Sequence, residues 1–400
     1  MKKVMILGAG IYQVPLIKKA KEMGLYTIVV SIRGNYPGFA LADQVYYINT
    51  TDADQILKTA EEEKIDGICT AGTDVTVPAI GKVCDALGLK GVSYDAAVCS
   101  ANKSEMKKRF VSGGVCTAAY QIAHNTDEAK KIIDTLGLPV MIKSVDSSGS
   151  RGITKIHQGT AEEIAAAVDL ALAVSKKDYF VVEECIEGIE FGAQALVNHG
   201  QVIFVMPHGD YVFQGDTGVP VGHYVPYEIS GDLLLESERQ VELSVKSLGL
   251  DNCAVNADFI LKDDKVYVLE IGARSGATCL PEMVSIYYDV DFYKMILQTA
   301  LGEKIDKFGV RQGKPNACRL ITADRTGTIK EIRLPKTIDM NVVDISLDYG
   351  TGDHVNRFHI GPDRIGQVIT KGETLQEAVE TMNRVFEETD IVIEEDVVHG

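Results

Sequence analysis

Short apolar runs alternate with helix-patterned stretches from the first residues of this 400-residue chain. Val4–Leu7 and Thr27–Val30 have the length of buried strands, and Val77–Leu87 has the pattern of a helix. Strands that alternate with helices predict a mostly parallel sheet covered by helices. We therefore expect residues 1–98 to form a doubly wound, Rossmann-like domain of the α/β class.

The pattern changes twice further along the chain. Between residues 99 and 305, hairpin-like strand pairs and a Gly/Ser loop replace the alternation. From 306 to 400, short strands separated by glycine turns precede the amphipathic helix Thr374–Glu388. Because a chain of this length is too long for one compact core, we predict three domains. They are the doubly wound domain 1–98, a central domain 99–305 and a small C-terminal α+β lobe 306–400.

Composition and charge narrow the function. The chain carries 57 acidic against 40 basic residues, a net charge of -17, which disfavours non-specific binding to nucleic acid or anionic lipid. No run approaches the ~18 apolar residues of a membrane span, and the first apolar run is too short for a signal peptide. The eight cysteines are scattered without a C-x-x-C pair, as is typical of reduced thiols. We expect a cytoplasmic protein with small-molecule partners.

The turn Gly8-Ala9-Gly10 lies between a strand and a helix, as in dinucleotide-binding proteins. However, Gln13 stands at the third glycine position, and the second strand ends without the acid that a ribose requires. A nicotinamide- or flavin-dependent dehydrogenase is therefore the weaker alternative. The turn instead predicts a helix N-terminus that faces an anionic substrate group, with Gly10 as a candidate substrate contact.

A lysine and a loop of small residues form the next motif. The apolar strand that starts at Leu138 ends at Lys143, and the loop 147–152 leads into a second strand. A P-loop would instead lead into a helix and carry its lysine within the loop. We predict a flexible hairpin lid whose amides approach phosphate oxygens, with an ordinary hairpin turn as the alternative. The candidate phosphate contacts are Lys143, Ser148, Gly149, Ser150 and Gly152.

Paired acids end another apolar strand. This strand begins at Phe180 and meets Glu183 and Glu184, and a glycine turn then leads to a further strand that contains Glu190. Such a hinge can offer its backbone to an adenine edge and a carboxylate to ribose hydroxyls. The alternative is a charged turn without a ligand.

Residues 256–271 predict a β-hairpin with a polar turn. If the turn is centred on Asp264, then Asp258 lies directly opposite Glu270. This register also predicts one shared face for Phe259, Leu261, Tyr267, Leu269 and Ile271.

The two opposed acids of this hairpin indicate a metal site. Like charges that face each other across a hairpin are destabilising unless something positive lies between them. A hard divalent ion such as Mg²⁺ meets this need, with two solvated hairpin acids as the alternative. Arg274 follows a few residues later and suits the charge of a transferring phosphoryl group.

Taken in order, these segments resemble the ATP-grasp superfamily, and the likeness covers nearly the whole chain. Residues 1–98 are similar to the substrate-side domain that precedes ATP-grasp modules. Residues 99–305 resemble an ATP-grasp domain with a lid subdomain at about 115–190. Asp363–Ile369 is similar to the closing lobe of biotin carboxylase and of purine-pathway ligases.

The resemblance implies a set of ligand contacts for ATP and for Mg²⁺, with Mn²⁺ as an alternative metal. ATP phosphates would contact Lys103 and Lys143, adenine would contact Glu183 and the backbone around Glu184, Cys185 and Ile186, ribose would contact Glu190, and the metal would be held by Asp258 and Glu270. Arg274 would contact substrate and stabilise the transition state that forms an acyl phosphate. Many family members have Asn where this chain has Gly272, so we expect water or phosphate oxygens to complete the metal's coordination.

The implied activity is an ATP-dependent carboxylate-amine ligase that forms a carbon-nitrogen bond through an acyl phosphate. The Gly-Ala-Arg ending after the second metal acid favours amino-acid ligases. A purine-biosynthetic ligase of the phosphoribosylglycinamide synthetase type is the first alternative, and a non-catalytic ATP-binding regulator is the second. His223 lies in a Gly-rich stretch and is a candidate contact to the acid. The resemblance is also compatible with a homodimer.

Overall fold

The structure, a computed structural model, describes residues 1–147, 151–213, 218–308 and 313–396. These residues form four sheets of four, eight, three and four strands, with helices packed against them. The predicted mixture of α/β and α+β architecture is confirmed. No helix in these ranges has the length and apolar character needed to cross a bilayer.

The chain begins with an α/β unit. Its elements are β1 (Lys3–Leu7), α1 (Val14–Glu22), β2 (Tyr26–Ser31), β3 (Gln44–Tyr47), α2 (Ala53–Glu63), β4 (Gly67–Cys69), α3 (Val77–Leu87) and α4 (Tyr94–Ser100). The strands pair in parallel in the order β3-β2-β1-β4. Because β1 and β4 are neighbours, the turns that follow their carboxyl ends, 8–10 and 72–74, meet at one edge of the sheet.

Gln13 ties these two turns together. Its Oε1 accepts a hydrogen bond from the Gly10 amide at 2.9 Å, and its Nε2 donates to the Ala71 carbonyl at 2.5 Å. Gly8 has a φ of +99°, and a Cβ there would lie 2.8 Å from the Gln13 side chain. The Gln13 side chain therefore fills the space above the turn. The Gly10 amide, predicted to face a substrate anion, is used within the chain in this conformation.

A smaller antiparallel sheet follows. The sheet and the helices next to it comprise α5 (Lys103–Gly113), β5 (Tyr120–Ala123), α6 (Thr126–Leu136), β6 (Val140–Ser144), β7 (Ile153–Ile156), α7 (Ala161–Val174) and β8 (Phe180–Glu184). The strands pair in the order β5-β8-β6-β7. Helices α6 and α7 share one apolar cluster with this sheet. The loop between β6 and β7 is the predicted phosphate loop, and its residues Ser148, Gly149 and Ser150 lie outside the described residues.

The largest sheet has eight antiparallel strands. The chain supplies its first five strands and three connecting helices in this order: β9 (Ile189–Asn198), β10 (Gln201–Val212), β11 (Pro220–Val225), α8 (Gly231–Leu248), β12 (Cys253–Lys262), β13 (Lys265–Gly272), α9 (Leu280–Tyr288) and α10 (Phe292–Ala300). The chain ends with β14 (Asn316–Thr322), β15 (Gly327–Arg333), β16 (Val342–Leu347), β17 (His354–Val355), β18 (Arg364–Lys371), α11 (Leu375–Glu388) and β19 (Asp390–Glu395). The order is β13-β12-β9-β10-β11-β14-β18-β16, and β17-β15-β19 form a separate sheet. The large sheet thus takes strands from both sides of residue 305.

Two apolar clusters hold the first sheet against the large one. One cluster joins Met5 of β1 to Phe259 and Val268 on the hairpin β12–β13. The other joins Ile6 of the same strand to Phe292 of α10. Successive residues of a strand point to opposite faces, so both faces of the first sheet are covered. This packing fixes the turns after β1 and β4 beside the β12–β13 hairpin.

We expect Gln13→Ala to lower the free energy of unfolding by about 1–3 kcal/mol, because it leaves the buried Ala71 carbonyl and the Gly10 amide without their partner. Denaturant unfolding of wild type and variant measures this difference. Gln44→Ala on the edge strand β3 is the matched control, with an expected change below about 0.5 kcal/mol. Equal effects of the two substitutions would contradict the role assigned to Gln13.

Candidate active site

The hairpin β12–β13 places two carboxylates opposite each other. Asp258 pairs with Glu270, as predicted. The turn residues Asp263 and Asp264 both have positive φ, 49° and 57°, as a two-residue hairpin turn requires. This turn alone would set Asp258 opposite Leu269. A bulge between Asp258 and Phe259 shifts the register by one residue and brings Glu270 into place.

The bulge also divides the apolar residues between two faces, so the prediction of a single shared face is wrong. Phe259, Leu261 and Ile271 pack in the cluster that includes the first sheet. Tyr267 and Leu269 instead pack with Ile260, Ile186 and Ala118 in a small separate cluster. A one-residue shift reverses which side chains face the core, and the register before the bulge differs from the register after it. The small cluster forms an apolar wall beside the two acids.

The pKa values of the two acids shift in opposite directions. Burial and the facing carboxylate of Glu270 raise the pKa of Asp258. The ammonium of Lys103 lowers the pKa of Glu270, against the effect of burial. Lys103 Nζ lies 3.0 Å from Glu270 Oε2 and donates to the Ser147 carbonyl at 3.0 Å. Lys103 thus links Glu270, a predicted metal ligand, to the start of the predicted phosphate loop.

Local sequence fixes Lys103 at the start of α5. The side chain of Asn102 caps this helix by accepting hydrogen bonds from the amides of Ser104 and Glu105 at 2.9 and 3.2 Å. Capping of this kind satisfies helix amides that would otherwise lack partners. Lys107 follows four residues later, on the same face of the helix.

A buried cluster of two lysines and one glutamate lies next to this helix. Lys107 Nζ is 2.7 Å from Glu183 Oε2, and Lys143 pairs with the other oxygen of Glu183. The Glu183 side chain is 2% exposed and that of Lys107 is 4% exposed, so both charges are removed from water. Thr117 Oγ1 accepts a further hydrogen bond from Lys107 at 2.9 Å.

The charges of this cluster stabilise one another. Burial alone would raise the pKa of Glu183, but Lys143 and Lys107 outweigh it and lower the pKa to about 2. Burial lowers the pKa of Lys107. For Lys143 burial also acts to lower the pKa, but the attraction of Glu183, together with that of Glu270 and Glu190, outweighs it and raises the pKa. Both side-chain oxygens of Glu183 form ion pairs with these two lysines. The contact of Glu183 with adenine stays a prediction, and this arrangement leaves only its backbone available for it.

The hinge after β8 contains a backbone amide without a hydrogen-bond partner among the described residues. The amides of Glu184 and Cys185 donate to the carbonyls of Ala119 and Pro139, at 2.9 and 3.2 Å. Within the described ranges the Ile186 amide has no hydrogen-bond partner, and the Ile186 side chain belongs to the apolar wall. Glu190 is exposed at the start of β9, where it pairs with a residue of β12.

Gly152 is the last residue of the predicted phosphate loop and directly precedes β7. Its φ is +69°, and its carbonyl accepts a hydrogen bond from the Ser144 amide at 2.9 Å. A Cβ at this position would overlap the side chain of Val174, so the backbone passes close to α7. A glycine meets both conditions without strain.

Arg274 pairs with an acid from the first sheet. Its Nε and Nη2 donate to the two oxygens of Asp74, each at 2.8 Å, and its Nη1 donates to the Ser275 carbonyl at 3.1 Å. The guanidinium keeps two further N-H groups for a ligand. Sequence reasoning missed Asp74, although it follows β4 at the edge where ligands of α/β sheets bind.

Some of these residues line one cavity. A space of about 630 Å³ lies between the first sheet and the hairpin, and Asp74, Lys103, Ser147, Glu270 and Gly272 line it. Its lining residues come from segments far apart in the sequence. His223 lies elsewhere on the large sheet, on β11, with its Nδ1 2.6 Å from Asp210 Oδ1.

Known proteins resemble this chain in both sequence and fold. The family model "Phosphoribosylglycinamide synthetase, ATP-grasp (A) domain" matches residues 101–278, and "L-amino acid ligase C-terminal domain 2" matches residues 319–394. A crystal structure of phosphoribosylglycinamide synthetase from Anaerococcus prevotii is 35% identical, with a TM-score of 0.84 over 98% of this chain and 100% of that one. The chain belongs to the ATP-grasp superfamily. It is an ATP-grasp ligase.

Two more distant relatives extend the comparison. A formate-dependent phosphoribosylglycinamide formyltransferase from Sulfurisphaera tokodaii is 24% identical over 386 residues, which cover 95% of this ligase and 94% of the relative. The L-amino acid ligase from Bacillus licheniformis shares the fold, with 19% identity and a TM-score of 0.80 over 99% of each chain.

The Arg274–Asp74 pair explains the glycine at position 272 in this ATP-grasp ligase. A Cβ at residue 272 would lie 2.6 Å from Asp74 Oδ1, closer than real Cβ contacts. The Asp74 carboxylate therefore lies where a side chain at position 272 would begin. A side chain at position 272 would have to displace this carboxylate.

We expect the stability difference between wild type and Glu183→Gln to depend on pH. At neutral pH the variant leaves two buried lysines without a counter-charge, which costs about 3–5 kcal/mol. Since folding lowers the pKa of Glu183 from 4.5 to about 2, its contribution is present above pH 4.5 and is lost as the pH falls toward 2. Denaturant unfolding between pH 7 and pH 2 should show the difference shrinking over that window.

The control for this experiment is Glu187→Gln. Glu187 is exposed in the same segment and pairs with Lys155 on the surface. We expect little change in stability for this variant at any pH. A constant difference between wild type and Glu183→Gln down to pH 2 would contradict the charge assignment of the buried cluster.

We expect Gly272→Ala to destabilise the protein by about 1–3 kcal/mol, because the new methyl group must displace Asp74 from Arg274. In an Asp74→Ala background the same substitution should cost much less, since the carboxylate is absent. A double-mutant cycle in denaturant measures this coupling. Gly231→Ala is the control, because a Cβ at that helix start meets no atom within 4 Å. Equal costs in both backgrounds would refute the steric account of Gly272.

Proposed function

We propose that this ligase binds ATP with Mg²⁺ or Mn²⁺ and phosphorylates a small carboxylic acid, which an amine then converts to an amide. The observation that carries the proposal is the pair Asp258–Glu270, with Lys103 beside it and Arg274 at the end of the same hairpin. Acids and bases so arranged suit a metal-bound triphosphate and the charge that develops on a transferred phosphoryl group.

The chemistry of the donor set fits a hard divalent cation. Asp258 and Glu270 are opposed carboxylates, and burial together with the charge of Glu270 raises the pKa of Asp258. A bound cation removes this repulsion and neutralises phosphate oxygens. Asp258 and Glu270 would hold it, and water or phosphate oxygens would supply the remaining ligands because Gly272 has no side chain.

The adenine site that we propose lies against the apolar wall. Ile186 offers an unused amide next to Ile260, Tyr267 and Leu269, which suits an aromatic base with one polar edge. Cys185 and Glu184 belong to the same hinge. Glu190 is exposed at the start of strand β9, and we propose that its carboxylate binds the ribose hydroxyls.

Lysines and loop amides would hold the triphosphate. Lys143 is kept charged by Glu183, and Lys103 contacts both Glu270 and the start of the loop. We propose that these two ammonium groups bind phosphate oxygens together with amides of the loop residues Ser148, Gly149, Ser150 and Gly152. A lysine positioned on a strand and one positioned by a helix cap hold their charges in place before ATP arrives.

The reaction follows from this arrangement. The substrate carboxylate attacks the γ-phosphorus of ATP, ADP leaves, and an acyl phosphate forms. Arg274 retains two N-H donors for the oxygens that carry charge in this step. The amine then attacks the acyl carbon and displaces phosphate, which gives the carbon-nitrogen bond.

We infer that the acid is an amino acid. Arg274 and Asp74 present opposite charges at one place, which suits the carboxylate and ammonium of a zwitterion. The match to an L-amino acid ligase domain supports two amino acids as substrates. The 35% match to a phosphoribosylglycinamide synthetase supports the second candidate, in which glycine is the acid and phosphoribosylamine the amine. A homodimer and a cytoplasmic location stay predictions.

The test is ADP release with Mg-ATP against a panel. The twenty amino acids serve as acids, and the same amino acids and phosphoribosylamine serve as amines. We expect ADP release to require one acid, one amine and a divalent metal. Glu270→Gln should lower the rate by about 100-fold or more, because the metal loses a carboxylate ligand.

Asp263→Asn is the matched control for Glu270→Gln. Asp263 lies in the turn of the same hairpin with a φ of 49°, a conformation that asparagine tolerates. This variant should retain wild-type ADP release. Metal-independent ADP release, or equal rates in Glu270→Gln and wild type, would refute the proposed site.

A further inference from the structure

A second polar cluster lies on the same face of the large sheet as the metal acids. Strand pairing aligns Glu270 with Asp258, Asp258 with Gly192, and Gly192 with His208 on four neighbouring strands. Two residues further along β10, Asp210 pairs with His223 of β11. Paired residues, and residues two apart on one strand, point to the same face. We call His208, Asp210 and His223 the histidine cluster.

Gly192 brings this cluster close to the acids. It stands between Asp258 and His208 in the aligned row and has no side chain. A Cβ at this position would overlap the ring of His208, so the ring extends over Gly192 toward β12. The negative charge of Asp210 contributes to the raised pKa of Asp258, after burial and Glu270, which also indicates proximity.

The hydrogen bonds define the state of both histidines. Asp210 Oδ1 lies 2.6 Å from His223 Nδ1 and 2.9 Å from His208 Nδ1. An ionised carboxylate only accepts, so both Nδ1 atoms donate and each neutral ring keeps Nε2 as an acceptor. The Nε2 of His208 lies 3.4 Å from Gln194 Nε2. It is therefore occupied by a neighbour within the protein.

The side-chain amides of Gln194 and Asn256 connect His208 to Asp258. Gln194 Nε2 donates to Asn256 Oδ1 at 2.7 Å, and Asn256 Nδ2 donates to Asp258 Oδ1 at 3.3 Å. Each member of this chain has a fixed orientation as a result. His208 and Asp210 are thereby held rigidly relative to the metal acids.

His223 differs from His208 at its outer nitrogen. Among the described residues no group forms a hydrogen bond with His223 Nε2, although the residue as a whole is only 3% exposed. Burial, more than the opposing charge of Asp210, lowers the pKa of His223. The neighbouring titratable groups are Asp210 and His208 on β10 and Cys318 on β14.

The loop that carries Arg274 covers this region. Its Gly276 amide donates to Gln194 Oε1 at 2.7 Å, and its Thr278 carbonyl lies 3.6 Å from the Sγ of Cys318. Cys318 is the residue paired with His223 on the next strand. His223 therefore lies beneath the segment that carries the predicted catalytic arginine.

Two histidines and one carboxylate are also a ligand set for a transition metal. The separations of 2.6 and 2.9 Å between their ligand atoms are those of hydrogen bonds. With metal-ligand bonds of about 2.1 Å, ligands so close would subtend angles far below those of tetrahedral coordination. The observed geometry favours hydrogen bonds within the cluster over a shared ion.

We propose that His223 accepts the proton that the attacking amine loses, and that Asp210 and His208 position its ring. This inference rests on the proposed ligase function. An amine is largely protonated at neutral pH and must lose a proton to form an amide. The site residues Lys103, Lys143 and Arg274 are cationic and cannot accept it, whereas neutral His223 has an acceptor nitrogen, Nε2, without a hydrogen bond among the described residues.

The step is balanced as follows. The amine nitrogen forms a bond to the acyl carbon, and the bond from that carbon to the phosphate oxygen breaks. The ammonium has first passed one proton to His223 Nε2, and phosphate leaves with the electron pair and takes up the second proton that the nitrogen loses as the amide forms. The imidazolium, stabilised by Asp210, then returns its proton to solvent.

Hydroxylamine separates this step from acyl phosphate formation, because it is already neutral at pH 7 and needs no strong proton acceptor. The experiment uses the acid and amine that give most ADP in the panel above. We expect His223→Asn to lower amide formation by about 100-fold, while hydroxamate formation from the same acid changes only a few-fold. Asp210→Asn should lower amide formation to an intermediate extent. Raising the pH should partly restore amide formation in both variants, because more of the amine is then neutral.

His199→Asn is the matched control. His199 is an exposed residue at the β9–β10 turn with a φ of 49°, which asparagine adopts readily. It should leave both products unchanged. Thermal melting of each variant checks the fold, and His223→Gln serves as a second variant if His223→Asn does not fold.

Each outcome bears on one hypothesis. If wild type forms no hydroxamate with any acid, the proposed ligase function fails. If hydroxamate forms but His223→Asn lowers both products equally, or neither, the role of His223 as proton acceptor is overturned. A stoichiometric transition metal in wild type that is lost in His223→Asn would overturn it in favour of a metal site.

Discussion

Repulsion between Asp258 and Glu270 is the constraint around which the rest of the site is arranged. The two carboxylates face each other across a hairpin, and Lys103 offsets one of them from the first turn of α5. Arg274 follows directly on the same hairpin and pairs with Asp74 of the first sheet. Charges that would be costly in isolation are stabilised by a neighbouring charge of opposite sign, Lys103 for Glu270 and Asp74 for Arg274. An ATP-grasp ligase needs this accumulation of charge, because its chemistry is mainly the placement of phosphate and metal.

The fold and the hairpin could be predicted because they depend on local pattern. Alternating strands and helices indicate the first sheet, and the polar turn indicates the opposition of Asp258 and Glu270. The turn position from which this opposition was predicted is wrong. The turn lies at Asp263 and Asp264, and Asp258 faces Glu270 only because Leu269 is an extra, bulged residue on β13. A bulge changes the face of every later residue, and alternation alone does not reveal where it lies.

Contacts between distant segments could not be predicted in the same way. Lys107 lies four residues after Lys103, which is a weak signal, but only the fold brings Glu183 between Lys107 and Lys143. A buried carboxylate with two ammonium partners has a structural role that a short motif cannot distinguish from contact with a ligand. His208 and Asp210 stand two residues apart on one strand, and their link to His223 depends on the pairing of β10 with β11.

The contact between Gly272 and Asp74 has a consequence for the evolution of this site. The two positions are almost 200 residues apart in the sequence, yet they share one volume. A side chain at 272 therefore requires the carboxylate at 74 to move away from Arg274. Among related sequences, those with asparagine at 272 are expected to lack an acid at 74 that pairs with the arginine. Exchange of the N-terminal domain between such proteins would then require a matching change just after Glu270 in the hairpin β12–β13.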